Sequence, residues 1–334
     1  MRQQRYPVPP LEVGLLLLLG FLWGIPYALT KISLETIPPI TLTAARVSSA
    51  AAVLWIFAVL RGRKLPQRAN FARRVFIQGG VGCVIPYTFI ALGQQSVDSS
   101  LAAILNSTTP LFVYLISVTW THHEPMTFWR LSGAIIGLGG IVLIAGAGAL
   151  LGLGRESAGQ AAIIIATFSS AVSVIHGRRF VGAAPETVAA GTLTCAAVVL
   201  IPISLLVEAP WHIVPSLRSL AALSANAVIA TAFGFVLYFR LIRTIGSMST
   251  ASTAYLKPAV SVLIGCLLLG EPFTWILAIG LLAVLFGVAA INDGMSVPLL
   301  LNGLNHLRRR TPVRLLGVAA NGGSKAELAI GESE

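Results

Sequence analysis

Two short stretches with the same pattern stand 147 residues apart, His123-Glu124-Pro125-Met126-Thr127 and Gly270-Glu271-Pro272-Phe273-Thr274. Each stretch opens an apolar segment that contains glycines, and Gly133 and Gly280 in those segments are again separated by 147 residues. Self-similarity at one fixed offset indicates an internal repeat. The chain is therefore predicted to consist of two copies of one unit.

The composition indicates a membrane environment. Of the 334 residues, 56% are hydrophobic and 10% are charged, whereas a soluble domain carries about 25% charged residues. The apolar residues form ten segments, each near the roughly 20 residues that a helix needs to cross a bilayer. We therefore predict an all-α membrane protein with ten transmembrane helices. The segments are 12–31, 39–60, 75–95, 99–121, 130–150, 158–177, 187–207, 219–241, 248–269 and 273–292.

The basic residues predict the orientation in the membrane. Lys and Arg number 23 against 12 acidic residues, a net charge of +11, which by itself would also suit a nucleic-acid partner. With the N-terminus in the cytoplasm, however, eighteen positive residues fall in cytoplasmic loops, and only Lys31, Arg155 and Arg218 fall outside. This distribution follows the positive-inside rule. We expect an inner-membrane protein with both termini cytoplasmic and no nucleic-acid partner.

The repeat has a consequence for topology. A unit of five helices crosses the membrane an odd number of times, so the second copy must be inverted. The predicted parts are a first repeat over 1–150, a second, inverted repeat over 151–293, and a basic cytoplasmic tail over 294–334 that is partly disordered. Residues 298–316 of the tail mix leucines with arginines, and we expect them to lie on the anionic inner leaflet. Inverted repeats are typical of alternating-access transporters, whose substrate site lies near the bilayer midplane between the copies.

A family resemblance rests on several of these motifs. They are Leu22-Trp23-Gly24, Arg46, Pro110-Leu111 with the following Glu124, and the run of Gly246, Ser252, Pro258, Gly265, Gly270-Glu271, Gly280 and Gly287. The pattern resembles the ten-helix branch of the drug/metabolite transporter superfamily, which has two EamA repeats. The resemblance implies a central cavity walled by helices one to four and six to nine. It also implies export of small metabolites, with amino-acid exporters as a prominent branch.

Two positive residues fall within predicted spans. Lys257 lies near the middle of the ninth segment, where a lysine costs about 2.5–3.5 kcal/mol, so it is expected to meet a substrate carboxylate. The alternative is a bond to a backbone carbonyl that Pro258 leaves without a donor. Arg46, nearer the outer end of the second segment, either extends to the interface or guards the outer mouth of the cavity.

The other candidate site residues are prolines and polar or aromatic side chains within spans. Pro110 and Pro258 stand at repeat-equivalent positions and are expected to break or kink their helices and so shape the cavity. Buried polar groups need partners, and a bound substrate is one such partner. The candidate substrate-binding residues are Trp23, Tyr27, Arg46, Tyr87, Gln94, Asn106, Tyr255 and Lys257.

The positions of the acidic residues restrict the possible transport mechanisms. All twelve lie in loops, tails or helix ends, whereas ion-driven carriers commonly keep a carboxylate inside the membrane. We predict export of small metabolites, with amino acids foremost, by a facilitator or exchanger, or by a proton coupling that does not use a buried carboxylate. The main alternative is an exporter of organic cations, bound by aromatic rings through cation–π contact. An intramembrane enzyme fits poorly, because His176 is the one histidine in a predicted span and has no acidic partner there.

No cofactor or metal is expected. The three cysteines, Cys83, Cys195 and Cys266, lie in apolar segments and have no metal-ligand spacing. Small-residue stretches such as 133–137 allow close approach of helices. Internal packing is their expected use, and the expected oligomeric state is a monomer or weak dimer.

Overall fold

The computed structural model describes residues 10–60, 69–116, 119, 131–133, 135–140, 143, 155–180, 182–238, 240–241, 244 and 253–291. This part of the chain is built from helices and their connections and contains no β-strand. The predicted tail, Glu124 and the side chain of Tyr255 lie outside the described residues.

Seven helices are long and apolar enough to cross a membrane. In chain order they are α1 (Pro10–Ser33), α2 (Pro39–Leu60), α3 (Asn70–Gly93), α4 (Ser99–Ile116), α6 (Glu156–Gly177), α7 (Glu186–Val207) and α8 (Leu217–Tyr238). Three shorter apolar helices lie at the other predicted positions, α5 (Leu131–Gly140, of which residue 134 is not described), α9 (Thr253–Leu269) and α10 (Trp275–Ile291). The described residues thus give a multi-pass helical membrane protein with seven spans, and the number ten stays a prediction.

Several spans are irregular in their interior. Residues Gly80–Val84 of α3 and Asn226–Phe233 of α8 are π-helical, a distortion often found at functional sites. Helix α4 is interrupted at Ser107 and Thr108, just before Pro110. The hydroxyls of both residues donate to backbone carbonyls of the preceding turn, 2.7 and 2.6 Å away, which compensates part of the broken helical bonding.

The two prolines stand in different local structures. A break precedes Pro110, whereas α9 is helical without interruption from Thr253 to Leu269, with Pro258 inside it. The physical reason is that a proline removes one N–H donor, which a transmembrane helix tolerates when its neighbours hold it in place. Pro258 is buried in the interior, so its surroundings keep α9 continuous.

The helices of the two halves pack in matching pairs. Helix α1 contacts α8 and α9, and α6 contacts α3 and α4. Helix α2 contacts α7 and α8, and α7 contacts α2 and α3, while α4 packs on α9. Exchanging each helix for the one five places along the chain reproduces this set of contacts.

Two polar contacts repeat the same exchange at the level of atoms. The amide nitrogen of Asn226 on α8 donates to the Pro26 carbonyl at 3.5 Å and to Thr30 Oγ1 at 3.1 Å. The amide nitrogen of Gln78 on α3 donates to the carbonyl and the hydroxyl of Ser173 at 3.4 and 2.7 Å. Pro26 and Ser173 are 147 residues apart, the offset of the sequence repeat.

The interior of the bundle is rich in small residues. Helices α2 and α7 meet through alanines, among them Ala50, Ala189 and Ala196, together with Leu54 and Leu193. Small side chains let helix backbones approach closely, which is the main source of packing energy between helices in lipid. Large apolar side chains such as Leu206 and Leu267 are exposed, as expected for surfaces that contact lipid.

Glu271 belongs to a helix end rather than to the helix that follows it. Gly270 has a positive φ of 66°, the left-handed conformation that commonly caps a helix C-terminus, and the Glu271 N–H donates to the Gly265 carbonyl at 3.2 Å. This cap directs the Glu271 carboxylate to the start of α4, where it accepts from the N–H groups of Ser99 and Ser100 at 2.6 and 3.0 Å and from the Ser100 hydroxyl. The sequence pattern places Glu271 at the opening of α10, whereas in the structure its carboxylate bonds to the start of α4.

Asp98 occupies the N-cap position of α4 but makes no capping hydrogen bond. Burial, and after it the nearby Glu271 carboxylate, raises the pKa of the Asp98 carboxyl above its ordinary value. The Glu271 carboxylate, from the other half of the chain, therefore compensates the positive N-terminal end of the α4 helix dipole. Its bonds join α4 and α9 at this end.

The glycines of α5 and α10 face one another, as the internal-packing expectation requires. A Cβ added at Gly287 would lie 2.7 Å from Gly137 Cα, whereas a Cβ at Gly139 would meet nothing within 4 Å. We predict that Gly287→Ala lowers the free energy of unfolding by about 1–3 kcal/mol, the usual cost of overpacking. Gly139→Ala should be neutral or stabilising by up to about 1 kcal/mol, because alanine favours the helix. Thermal unfolding of both variants in detergent is the measurement; equal effects would contradict the close packing.

Candidate substrate-binding site

Arg46 lies in the interior between helices of both halves. Its side chain is 9% exposed, and its Nε donates to Thr231 Oγ1 on α8 at 2.8 Å. The guanidinium Cζ stands 4.2 Å from the centre of the Tyr87 ring on α3. These contacts contradict the idea that Arg46 extends to the membrane interface, since the neighbouring helices enclose it.

Lys257 lies against an aromatic ring of α1. Its Nζ is 5.2 Å from the centre of the Trp23 ring, within the range of a cation–π contact. Within the described part of the chain the ammonium has no hydrogen bond to a backbone carbonyl and no carboxylate partner. The described residues therefore do not show the alternative arrangement, in which the Lys257 ammonium bonds to a backbone carbonyl that Pro258 leaves without a donor.

Trp23 is held by an aromatic wall on α8. Its ring centre is 4.9 Å from that of Tyr238 and 6.3 Å from that of Phe235. The approach requires Gly234, because a Cβ there would come within 2.7 Å of Trp23 Nε1. Residues of the second half of the chain thus fix the position of the Trp23 ring, which the Lys257 ammonium contacts.

Tyr27, on the same face of α1 as Trp23 and one turn further along, joins α1 to α4. Its hydroxyl donates to Asn106 Oδ1 at 3.0 Å, and both side chains are buried. Asn106 Nδ2 is buried without a hydrogen-bond partner. A buried unpaired amide costs about 1–3 kcal/mol, so this nitrogen is an unsatisfied hydrogen-bond donor in the interior.

Gln94 lies at the end of α3, next to Tyr27. It is fully buried, and its side-chain amide nitrogen donates to the Tyr27 carbonyl at 2.9 Å. Its backbone carbonyl accepts from Lys31 Nζ at 2.9 Å, and the Val97 carbonyl accepts from the same ammonium at 2.9 Å. These bonds secure the end of the α1–α3 contact, and Gln94 Oε1 is buried without a hydrogen-bond partner.

The sequence analysis did not identify Thr231 and Asn226 as candidate site residues. Both lie in the π-helical part of α8; Thr231 bonds Arg46, and Asn226 Oδ1 is buried without a partner. An asparagine inside an apolar segment was the available signal, because such a side chain needs a partner in the membrane. A π-helix gives no comparable pattern in the sequence. Among the described residues no three His, Cys, Asp or Glu side chains form a group that could hold a metal ion.

The fold and the site together define a class of protein. A multi-pass helical membrane protein that holds two cations, aromatic rings and unpaired amides between its helices has the construction of a membrane transporter. The model of the EamA-like transporter family matches residues 11–146 and again residues 157–293, and the chain belongs to this family.

Curated relatives agree with this assignment. The chain is 28% identical over 282 residues to the uncharacterized inner membrane transporter YedA of Escherichia coli (strain K12), covering 84% of this chain and 90% of YedA. It is 24% identical over 272 residues to the uncharacterized transporter YoaV of Bacillus subtilis (strain 168), covering 80% and 91%. The protein is thus a multi-pass inner-membrane transporter of small molecules, which agrees with the prediction that it is not an enzyme.

A solved crystal structure has a similar fold. The TM-score is 0.63 at 21% sequence identity, and the match covers 85% of this chain and 97% of the other. At this identity the likeness concerns the fold alone.

Proposed function

We propose that the protein exports small metabolites, with amino acids as the leading class, by alternating access between two inverted five-helix repeats. The observation that carries this proposal is the pair Arg46 and Lys257. Both cations stand between helices of the two halves, and neither has a carboxylate partner among the described residues. A charged side chain inside the membrane indicates a functional site by default. A substrate carboxylate would supply the negative charge that these two cations lack.

The helix contacts support the inverted repeat. The contacts of α1, α2 and α4 with α7, α8 and α9, and those of α6 with α3 and α4 and of α7 with α3, map onto one another when helices five places apart are exchanged. The amide contacts of Asn226 and Gln78 follow the same exchange. In alternating access one repeat rocks against the other around a fixed site, and Arg46 and Lys257 lie at contacts between the halves.

The occupied aromatic rings speak against the organic-cation alternative. That alternative uses the faces of Trp23, Tyr27, Tyr87 and Tyr255 to bind a positive substrate. Lys257 already lies over Trp23, and Arg46 already lies over Tyr87. A cationic substrate would have to approach two like charges in a medium of low dielectric constant, where repulsion is strong.

The position of the acidic residues supports a facilitator or exchanger. In the described ranges every glutamate and aspartate lies at a helix end or in a connection. Glu12, the most buried of them, is paired with Arg240 at 3.3 Å and accepts from the Thr244 hydroxyl. None of the described spans therefore carries a free carboxylate in its interior for a transported proton or sodium ion.

Counterflow tests the proposal. The purified protein is placed in liposomes preloaded with neutral, acidic, basic or aromatic amino acids or with an organic cation, without an ion gradient. We expect labelled amino acids to accumulate and the cation not to move. Accumulation of the cation alone would replace the proposal with the organic-cation reading, and a strict need for a proton or sodium gradient would remove the facilitator mechanism. Preloaded liposomes without the protein are the control.

A further inference from the structure

Two cations lie near one stretch of α1. Lys257 Nζ is 5.2 Å from the Trp23 ring on α1. Arg46 donates to Thr231 of α8, whose hydroxyl donates to the Asn226 carbonyl at 2.9 Å, and the Asn226 amide contacts the next turns of α1. Lys257 thus contacts this stretch of α1 directly, and Arg46 is linked to it through α8. They repel one another unless a negative group lies between them.

The protein itself supplies no such group in its described part. Glu208 is engaged with the N–H groups of Ile40 and Thr41 at 3.0 and 2.6 Å, and Glu271 is engaged at the start of α4. Glu12 lies at the first turn of α1 with Arg240. These carboxylates stand at helix ends, and each already has partners.

The unpaired neutral groups match an amino acid with a second acidic group. Asn106 Nδ2 is a hydrogen-bond donor without a partner, next to Tyr27. Asn226 Oδ1 is an acceptor without a partner, and the amide nitrogen of the same side chain donates to Thr30, which lies three residues after Tyr27 on α1. Donors and cations suit carboxylates, whereas a carbonyl oxygen suits an ammonium group. Two cations, one amide donor and one amide acceptor thus lie near the same stretch of α1.

We propose that the preferred substrate is an acidic amino acid, whose two carboxylates meet Arg46 and Lys257. This inference rests on the proposed transport of amino acids and specifies the substrate within that class. A neutral amino acid brings one carboxylate and leaves one cation uncompensated. An acidic amino acid compensates both, and its single ammonium has an acceptor in Asn226.

The test compares pairs of substrates that differ in one charged group. Counterflow of aspartate is measured against asparagine, and glutamate against glutamine, in liposomes that contain the full-length protein. A hydrogen bond between charged groups is worth enough for about a tenfold preference, so aspartate and glutamate should be exchanged about tenfold faster at low concentration. Equal rates for the amide and the acid, or faster rates for the amides, would overturn the inference while leaving amino-acid transport intact. No exchange of any of the four would also overturn the inference, and it would contradict the proposed function itself if the other neutral, basic and aromatic amino acids were not exchanged either.

A charge-neutral variant adds a second readout. Arg46→Gln should reduce the preference for aspartate over asparagine from about tenfold to near one, because only one cation then remains. The matched control is Arg218→Gln, since Arg218 pairs with Glu35 at 3.4 Å on an exposed surface and should leave the preference unchanged. A preference that persists in folded, monodisperse Arg46→Gln would remove Arg46 from the argument. If that variant does not fold, the wild-type rates alone decide.

Discussion

Lys257→Met is expected to slow the exchange of carboxylate substrates strongly and at the same time to stabilise the protein. Methionine keeps the length and apolar stem of the lysine and removes the charge. The ammonium has no carboxylate partner among the described residues and rests on the Trp23 ring, so the folded protein bears a cost of about 2.5–3.5 kcal/mol for it. We expect counterflow of amino acids to fall by about a hundredfold, the equivalent of a lost charged contact of about 3 kcal/mol.

Lys31→Met is the matched control for this prediction. Lys31 donates two hydrogen bonds of 2.9 Å to the carbonyls of Gln94 and Val97, and it is not part of the proposed site. Its loss should therefore lower stability by about 1–3 kcal/mol and should not alter the relative rates of different substrates. Thermal unfolding in detergent and counterflow in liposomes measure the two effects. A Lys257→Met protein that is less stable than wild type, or that transports at the wild-type rate, would remove Lys257 from the site.

Glu271→Ala is expected to cause the largest loss of stability among changes at helix ends. The carboxylate accepts from the N–H groups of Ser99 and Ser100 and from the Ser100 hydroxyl, and these bonds hold α9 and the start of α4 together. Bonds to a charged group contribute about 1.5–3 kcal/mol each when measured singly, and they are not additive, so we expect a loss of about 3–4 kcal/mol. Glu271→Gln, which keeps one acceptor, should lose about half as much.

Glu186→Ala provides the comparison for Glu271→Ala. Glu186 is also a glutamate in the first turn of a helix, α7, but no hydrogen bond or ion pair is recorded for its side chain among the described residues. Its replacement should change stability by less than about 1 kcal/mol, the usual effect of a charge near the helix dipole. Chemical unfolding in mixed micelles gives the free energies. Similar losses for the two variants would show that Glu271 acts only through the dipole and not through its bonds to α4.

The position of the spans follows from the sequence because it depends on local composition. Seven predicted segments coincide closely with spans of the structure, and α2 has the predicted bounds, Pro39–Leu60. The family was also readable from motifs along the chain, and the matching family model confirms it. A side chain's depth in the membrane is set by its distance along a helix, so Lys257 could be singled out without knowing its neighbours.

The contacts of the site could not be read in the same way. Arg46 was open between two interpretations until its neighbours were known, because the choice depends on Thr231, 185 residues away, and on Tyr87. Gln94 appeared to be a lining residue from its polarity and depth. The structure adds its bonds to Tyr27 and Lys31, which make it part of a helix-end contact. The break before Pro110 and the unbroken helix at Pro258 likewise depend on the neighbouring helices.

The sequence by itself determined that this protein is a multi-pass inner-membrane transporter of the EamA-like family, where its helices lie, and which two cations they carry. These properties depend on hydropathy along the chain and on motifs of adjacent residues. Only the tertiary structure decided that Glu271 caps α4, that Lys257 rests on Trp23, and that Arg46 is enclosed by α3 and α8. The physical reason is that these contacts join residues far apart in the chain, and helix packing at close range, rather than local propensity, selects them.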